Sequence, residues 1–240
     1  MIKRSIRTRL YEIPAIRWLK DRIRPFKHSI FGKDGIYKAI DEVARMSGGR
    51  EKVRTILDIG AASGDYAIHF LRAFPQATVY CFEPQPGSFR DLERCTRSFS
   101  SRVRLFNFGL YRTTEKADFY VSSYRDASSL VHLTEVNQQK ITVQLRRLDE
   151  VLQELGLKEV DFAKIDVEGA ELGVLQGGPE SFTKVIRSTY IEIQPACFGY
   201  YKRNHIEIFD ILQTSGFGYA GVYGDDYFFS KALPEVDPVR

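Results

Sequence analysis

Charged side chains crowd into one short stretch of the sequence, FAKIDVEGAELGVLQGG, at residues 162–178. The pattern predicts a buried strand that ends here and leads into a helix. The charged residues of this passage are Lys164, Asp166, Glu168 and Glu171. Because alternate residues of a strand face the same side, the first three share one face until the chain turns. The acids at 166 and 168 could accept a proton, ligate a divalent cation, or bond loop amides and the neighbouring lysine.

A glycine-containing turn follows the first predicted strand, in the segment LDIGAASGDY. Asp58 ends the apolar strand, and Gly60 and Gly64 allow a tight turn that a ligand can approach closely. The spacing differs from the GxGxxG dinucleotide fingerprint, and no GK[ST] follows, which excludes a P-loop. A ligand-binding turn and a plain strand-to-helix turn both fit this segment alone.

An acid ends the second predicted strand, about twenty residues beyond the glycine turn. Glu83, in the sequence FEP, could accept both hydroxyls of a ribose, or could be a solvated or helix-capping acid. Asn107 follows the third predicted strand and could reach a nucleotide base or form a turn. His205, at a predicted helix start, could be a general base or a surface residue.

Strand, turn and helix alternate through most of the chain, which predicts an α/β protein with a parallel sheet covered by helices. A helix is predicted over residues 35–47, before the first strand. Residues 116–146 alternate with period two and predict an antiparallel excursion or a substrate-side insertion. The segments GYAGVY and DDYFFSK predict a final hairpin that turns near Gly224 and Asp225.

Composition is that of an ordinary globular protein, with 240 residues, 43% hydrophobic and 28% charged. A net charge of +4 is too weak to argue for a nucleic-acid partner. The three cysteines are widely spaced and form no zinc motif, which predicts a reduced, cytoplasmic setting. No apolar run of about 18 residues and no signal-peptide pattern is present in the sequence.

Residues 1–34 predict a basic helical arm, with apolar residues every three or four positions and breaks at Pro14 and Pro25. Residues 1–30 could lie on a membrane surface or an acidic partner, or pack on the domain or another subunit. We therefore expect an arm followed by one domain over residues 35–240, with an insertion at about 113–146.

Four segments together resemble the FkbM family of S-adenosylmethionine-dependent methyltransferases. They are the DxGAxxG turn at 58–64, FEP at 82–84, Asn107, and KIDVEGAE at 164–171 with Gly177-Gly178. The resemblance implies the class I (Rossmann-like) methyltransferase fold, a seven-stranded, mostly parallel sheet with a C-terminal antiparallel hairpin. It also implies S-adenosylmethionine as cofactor and methylation of a hydroxyl on a sugar, a glycan or a related metabolite. The asparagine common in the first loop of the family is replaced by Ala62-Ser63.

The resemblance and the residue types together nominate candidate sites. Cofactor-binding candidates are Asp58, Gly60, Ala61, Ser63, Gly64, Glu83, Pro84, Asn107 and Asp166. Catalytic candidates are Asp166, Glu168 and His205, and acceptor-site candidates are Tyr124, Ser128, Tyr200 and Tyr201. If a divalent metal takes part, Asp166 and Glu192 are its expected ligands. The expected partner is a small-molecule or glycan acceptor rather than a nucleic acid.

Two other functions remain open from the sequence. One is a nucleotide- or NAD-binding oxidoreductase of related architecture, although the missing third glycine disfavours it. The other is a non-catalytic methyltransferase fold whose basic arm binds a membrane or a partner.

Overall fold

The computed structural model describes residues 32–122, 128–130, 138–193, 204–223 and 226–231. A seven-stranded sheet carries the fold. Its strands are β1 Thr55–Ile59, β2 Thr78–Phe82, β3 Val103–Phe106, β7 Phe162–Ile165, β8 Ser188–Glu192, β9 Gly218–Tyr223 and β10 Asp226–Ser230. They lie in the spatial order β3-β2-β1-β7-β8-β10-β9. The first five in the spatial order pair in parallel, and β10 runs antiparallel to both β8 and β9. The mostly parallel sheet and the final hairpin confirm the predicted fold.

The parallel strands are apolar because both of their faces are covered. All four residues of β7 and all five of β8 are buried, including the charged side chains of Lys164 and Glu192. One core cluster packs Leu57 and Ile165 on one side of the sheet, and a second packs Ile56 and Phe162 on the other. Continuous apolar runs are the expected signature of strands buried on two sides.

Helices cover the sheet. They are α1 Gly32–Met46, α2 Asp65–Ala73, α3 Pro86–Thr96, α4 Leu148–Glu154, α5 Glu171–Gly177 and α6 Asn204–Thr214. The helix predicted over 35–47 begins three residues earlier, at Gly32. Proline at the first position of α3 and the Gln85 side chain, which accepts a hydrogen bond from the Ser88 amide at 3.0 Å, fix the start of that helix.

A smaller sheet forms beside the main one, in the order β4-β6-β5. Its strands are β4 Gly109–Leu110, β5 Glu115–Ser122 and β6 Gln138–Arg146. β5 and β6 pair antiparallel, as the period-two alternation predicted. The small sheet packs against the helix Glu171–Gly177 of the main domain. The backbone oxygen of Tyr111, directly after β4, is so near that a Cβ added to Gly177 would lie 2.0 Å from it.

The parallel order brings several strand ends to one edge. β1, β2, β7 and β8 all run the same way, so their carboxyl ends and the loops that follow them meet there.

The predicted arm at residues 1–30 lies outside the described residues, and the predicted domain division stays a prediction. Within the described residues, no helix is long and apolar enough to cross a bilayer.

Candidate active site

The turn after β1 is bound to the end of β2. Gly60 and Gly64 have φ values of 79° and 95°, in the left-handed region that favours glycine. The amides of Gly60 and Ala61 both donate to the Phe82 carbonyl, at 3.0 and 3.1 Å. A Cβ at Gly60 would lie 1.9 Å from the backbone oxygen of Asp166, so only glycine fits between the loops that follow β1 and β7.

Glu83 directly follows β2 and is 6% exposed. Its Oε2 accepts a hydrogen bond from the Ala62 amide at 2.9 Å, and its Oε1 accepts one from the Gln85 amide at 2.8 Å. Burial raises the pKa of Glu83 to about 7. Each carboxylate oxygen can accept a second hydrogen bond, so the group is held in place with capacity left for ligand hydroxyls.

Asn107 supports the backbone that carries Glu83. Its Nδ2 donates to the carbonyl oxygens of Glu83, at 2.9 Å, and Pro84, at 3.3 Å. The side chain predicted to reach a base or form a turn therefore fastens the end of β2 to the end of β3.

Lys164 is the buried cation at the centre of the edge, with 2% exposure. Its Nζ donates to the Gly60 carbonyl at 2.9 Å and lies 3.5 Å from Asp58 Oδ1 and 3.4 Å from Asp166 Oδ2. It also stands 4.7 Å from the centroid of the Tyr66 ring. Burial lowers the pKa of Lys164, but the charges of Asp166 and Asp58 outweigh it, and the pKa is raised above its usual range.

Asp58 is fully buried beneath the turn. Burial raises its pKa, and the positive charge of Lys164 opposes that shift. The positive charge of Lys164, 3.5 Å from Asp58 Oδ1, is the largest of the interactions that stabilise the ionised carboxylate in the core, and the backbone of Ala67 contributes a smaller one.

Three carboxylates meet beside this ion pair. One oxygen each of Asp166, Glu168 and Glu192 lies within 4.8 Å of the others. Glu192, the last residue of β8, is 5% exposed. Burial, together with the negative charges of Asp166 and Glu168, raises the pKa of Glu192 well above its usual value. The two acids named from the sequence as metal ligands are thus brought together, and Glu168 joins them.

The loop after β7 has a strained backbone that Glu171 braces. Glu168 has a φ of 53°, which is uncommon for a residue other than glycine, and Gly169 has a φ of 98°. Glu171 is the first residue of α5, and its Oε1 accepts hydrogen bonds from the amides of Val167, at 3.1 Å, and Gly169, at 3.0 Å. Ser129 Oγ donates to the Glu168 carbonyl at 2.6 Å. These contacts fix the backbone at Glu168, whose carboxylate lies near those of Asp166 and Glu192.

The remaining predicted residues divide into two groups. Ser128 is described, and its Oγ accepts a hydrogen bond from the Ser122 amide at 3.1 Å, at the end of β5. His205 lies in the first turn of α6, and its buried Nδ1 has no hydrogen-bond partner among the described residues. Tyr124, Tyr200 and Tyr201 lie outside the described residues, so their assignment to an acceptor site stays a prediction.

An apolar cavity opens beside the glycine turn. Gly60, Pro84 and Val167 line it from the main sheet, and Leu110, Phe119 and Leu145 line it from the small sheet. Residues of the small sheet therefore form one wall of this cavity.

Asp226 was not predicted as a site residue. It opens β10 and lies opposite Glu192 in the antiparallel register, and its Oδ2 accepts a hydrogen bond from the Tyr190 hydroxyl at 2.9 Å. Asp226 could have been found from the predicted final hairpin. When the second strand of that hairpin pairs with the fifth parallel strand, the acid at its start comes to the same sheet edge.

The edge fits S-adenosylmethionine in its chemistry. Glu83 offers a buried carboxylate for hydroxyl donors, the turn has no side chain at Gly60 and Gly64, and an apolar cavity is lined by Gly60 and by Pro84, the residue after Glu83. The sheet order with its reversed last strand is that of class I methyltransferases. The magnesium protoporphyrin IX methyltransferase ChlM of Synechocystis PCC 6803, solved with its cofactor bound, shares the fold with a TM-score of 0.50 at 12% identity, covering 92% of this chain and 86% of that one.

Sequence comparison gives the family. The methyltransferase FkbM domain matches residues 58–219, and the chain belongs to this family. The 2-O-methyltransferase NoeI of Sinorhizobium fredii is 32% identical over 191 residues, covering 72% of this chain and 76% of NoeI. The antimetabolite synthetase AmbE of Pseudomonas aeruginosa is 25% identical over 228 residues, which are 80% of this chain but 10% of AmbE. The protein is an S-adenosylmethionine-dependent methyltransferase. This assignment replaces the two alternatives, an NAD-binding oxidoreductase and a non-catalytic scaffold.

The departure from the family turn generates a prediction about stability. Ala62 has a φ of 46°, a conformation that costs about 1–2 kcal/mol for most residues and that asparagine tolerates better. We expect Ala62→Asn, at this exposed position, to raise the free energy of unfolding by about 1 kcal/mol in urea denaturation. Ser63→Asn is the matched control, because residue 63 has no positive φ, and it should give no gain. Equal effects of the two substitutions would contradict the strain at Ala62.

Proposed function

We propose that this protein is an O-methyltransferase that methylates a hydroxyl of a sugar, a glycan or a related polyhydroxylated metabolite. The observation that carries the proposal is the group of three carboxylates within 4.8 Å of one another, next to the glycine turn. The end of the cleft at the glycine turn then binds the methyl donor. The end at the three carboxylates binds the acceptor hydroxyl and can accept its proton.

The cofactor side consists of the ends of β1 and β2. Glu83 accepts the ribose hydroxyls, while Ala61, Ser63 and Pro84 form the walls of the turn. Asp58 does not reach the cofactor itself but positions Lys164 through an ion pair. Asn107 positions Glu83 through a hydrogen bond to its carbonyl oxygen. When bound, S-adenosylmethionine supplies a methyl carbon activated by the sulfonium, and its carbon–sulfur bond breaks with the electron pair kept by sulfur.

The acceptor side consists of the ends of β7 and β8. Asp166 and Glu168 orient the acceptor hydroxyl, whose oxygen forms the new bond to the methyl carbon. The hydroxyl proton passes to a carboxylate of this pair or to water, because an alkyl hydroxyl is a poor nucleophile while it keeps its proton. His205 is a further candidate for this base, supported by its buried Nδ1 without a described partner.

The charge of the cleft favours a neutral acceptor rich in hydroxyls. Asp166, Glu168 and Glu192 bring three carboxyl groups within 4.8 Å of one another at this edge, and Lys164 pairs with Asp58 and Asp166. Carboxylates attract hydroxyl donors and repel anions. The name of the relative NoeI, a 2-O-methyltransferase, supports transfer to oxygen. Tyr124, Ser128, Tyr200 and Tyr201 remain the proposed acceptor contacts.

The cellular setting is also a proposal. Cys81 and Cys95 are free thiols, which supports a reducing, cytoplasmic compartment. The basic residues at 1–30 would give contact with a membrane surface or another subunit, and no nucleic acid is needed as partner.

Labelled methyl transfer from S-adenosylmethionine to a panel of mono- and oligosaccharides tests the proposal. We expect an O-methyl product from at least one acceptor, with the new ether located by mass spectrometry. Asp166→Asn should lower kcat by about a hundredfold or more, because the residue faces the reacting hydroxyl. Asp118→Asn, which removes an exposed acid paired with Lys140 at 3.1 Å, is the control and should keep full activity. Methylation of nitrogen alone, or an undiminished kcat in Asp166→Asn, would refute the assignment.

Cofactor affinity should depend on pH through Glu83. The ribose hydroxyls require the ionised carboxylate, and the pKa of Glu83 is raised to about 7. Affinity for S-adenosylhomocysteine should therefore rise about tenfold from pH 6 to pH 8, as the ionised fraction grows. Calorimetry at several pH values measures this.

Two substitutions sharpen the pH experiment. Glu83→Gln should bind S-adenosylhomocysteine more weakly and without the rise, because it has no carboxyl to ionise. Glu180→Gln, which removes an exposed acid paired with Lys184, should keep the rise. A wild-type affinity that is flat over this range, or a rise that survives in Glu83→Gln, would show that Glu83 does not bind the ribose.

A further inference from the structure

The three carboxylates have the spacing of ligands on a single ion. They come from three separate backbone positions: Asp166 follows β7, Glu168 lies at the strained turn, and Glu192 ends β8. Two ligand oxygens on one hard cation, with bonds of about 2.1–2.5 Å, lie at most about 5 Å apart. The observed limit of 4.8 Å among all three oxygens satisfies this requirement.

Glu192 gives an independent reason to expect a ligand. It is 5% exposed, its carboxylate is aimed into the cluster, and its buried Oε2 has no hydrogen-bond partner among the described residues. A carboxylate buried in this way is destabilising unless a proton or a cation satisfies it. Lys164 is committed to Asp58, Asp166 and the Gly60 carbonyl, and none of the described ion pairs reaches Glu192.

The local charge also calls for a cation. Asp226 lies across from Glu192 in the strand register, so a fourth carboxylate stands next to the cluster, and the Tyr190 hydroxyl contacts one of its oxygens. Like charges at such short range, at a partly buried site, repel strongly. A divalent ion would reduce that repulsion and bind Oε2 of Glu192.

We propose that Asp166, Glu168 and Glu192 form a divalent-cation site, and that the bound cation receives two neighbouring hydroxyls of the acceptor. An all-oxygen set selects a hard ion such as Mg²⁺, Mn²⁺ or Ca²⁺. Three protein ligands leave about three positions for water or for the acceptor, which favours a vicinal diol. A cation of this kind lowers the pKa of a coordinated hydroxyl, so water can take the proton and no separate base is needed.

The role in catalysis rests on the proposed function, whereas the site itself does not. Mn²⁺ binding to the full chain, freed of metal with EDTA, tests the site directly. The signal of free Mn²⁺ in electron paramagnetic resonance falls as the ion binds, and we expect one site per chain. Glu192→Gln and Glu168→Gln should each weaken binding tenfold or more. Glu159→Gln removes an exposed acid paired with Arg187, three residues before β7, and should bind like the wild type.

Stability gives a second readout, with a metal dependence that a structural role would not produce. In EDTA, Glu192→Gln should unfold at or above the temperature of the wild type, because a neutral amide does not repel the neighbouring acids. Added Mn²⁺ should raise the midpoint of the wild type and of Glu159→Gln, and raise that of Glu192→Gln distinctly less. If Glu192→Gln does not fold, Glu168→Gln replaces it, since residue 168 lies in a loop and is only half-buried.

Two results would overturn the cation site: no Mn²⁺ binding by the wild type, or equal binding by the wild type and both cluster variants. Binding of S-adenosylhomocysteine and methyl transfer in EDTA separate this failure from failure of the proposed function. If both persist in EDTA, the enzyme assignment stands without the cation. If Mn²⁺ binds as expected but no acceptor hydroxyl is ever methylated, the site stands and the assignment falls.

Discussion

One buried ammonium group holds the working edge of the sheet together. Lys164 Nζ donates to the carbonyl of Gly60 in the turn after β1 and pairs with Asp58 beneath it and with Asp166 beyond β7. A charge in the core is tolerated only when it is paired and hydrogen-bonded, so these contacts specify one relative position of the two loops. The proposed donor side and acceptor side of the cleft are thereby fixed to each other, which is what an in-line transfer requires.

The other features of the edge depend on these contacts of Lys164, which join the loops after β1 and β7. With the two loops in contact, a side chain at residue 60 has no room, and the Ala62 amide is placed where Glu83 can accept its hydrogen bond. On the far side, Lys164 engages Asp166, while Oε2 of Glu192 has no hydrogen-bond partner among the described residues. The edge is therefore preorganised at a cost, because it holds several acids close together.

The sequence was informative about strand ends and uninformative about the contacts between them. Apolar runs, glycine turns and the position of each acid predicted the sheet, the final hairpin and the nearness of Asp166 and Glu192, since parallel strands end at one edge. Two contacts were not inferred from the sequence: the Asn107 amide bonds the backbone at Glu83, which depends on tertiary packing, and Asp226 lies opposite Glu192, which depends on the register of the final hairpin. The φ of Ala62 carries no signature in a single sequence.

The most direct test of this account is a crystal structure of the protein with S-adenosylhomocysteine. The account predicts the ribose hydroxyls within hydrogen-bond reach of the Glu83 carboxylate, the sulfur facing the carboxylates of Asp166 and Glu168, and Lys164 still bonded to the Gly60 carbonyl. A nucleoside bound at any other part of the molecule, or a Glu83 side chain turned away from the ribose, would contradict it.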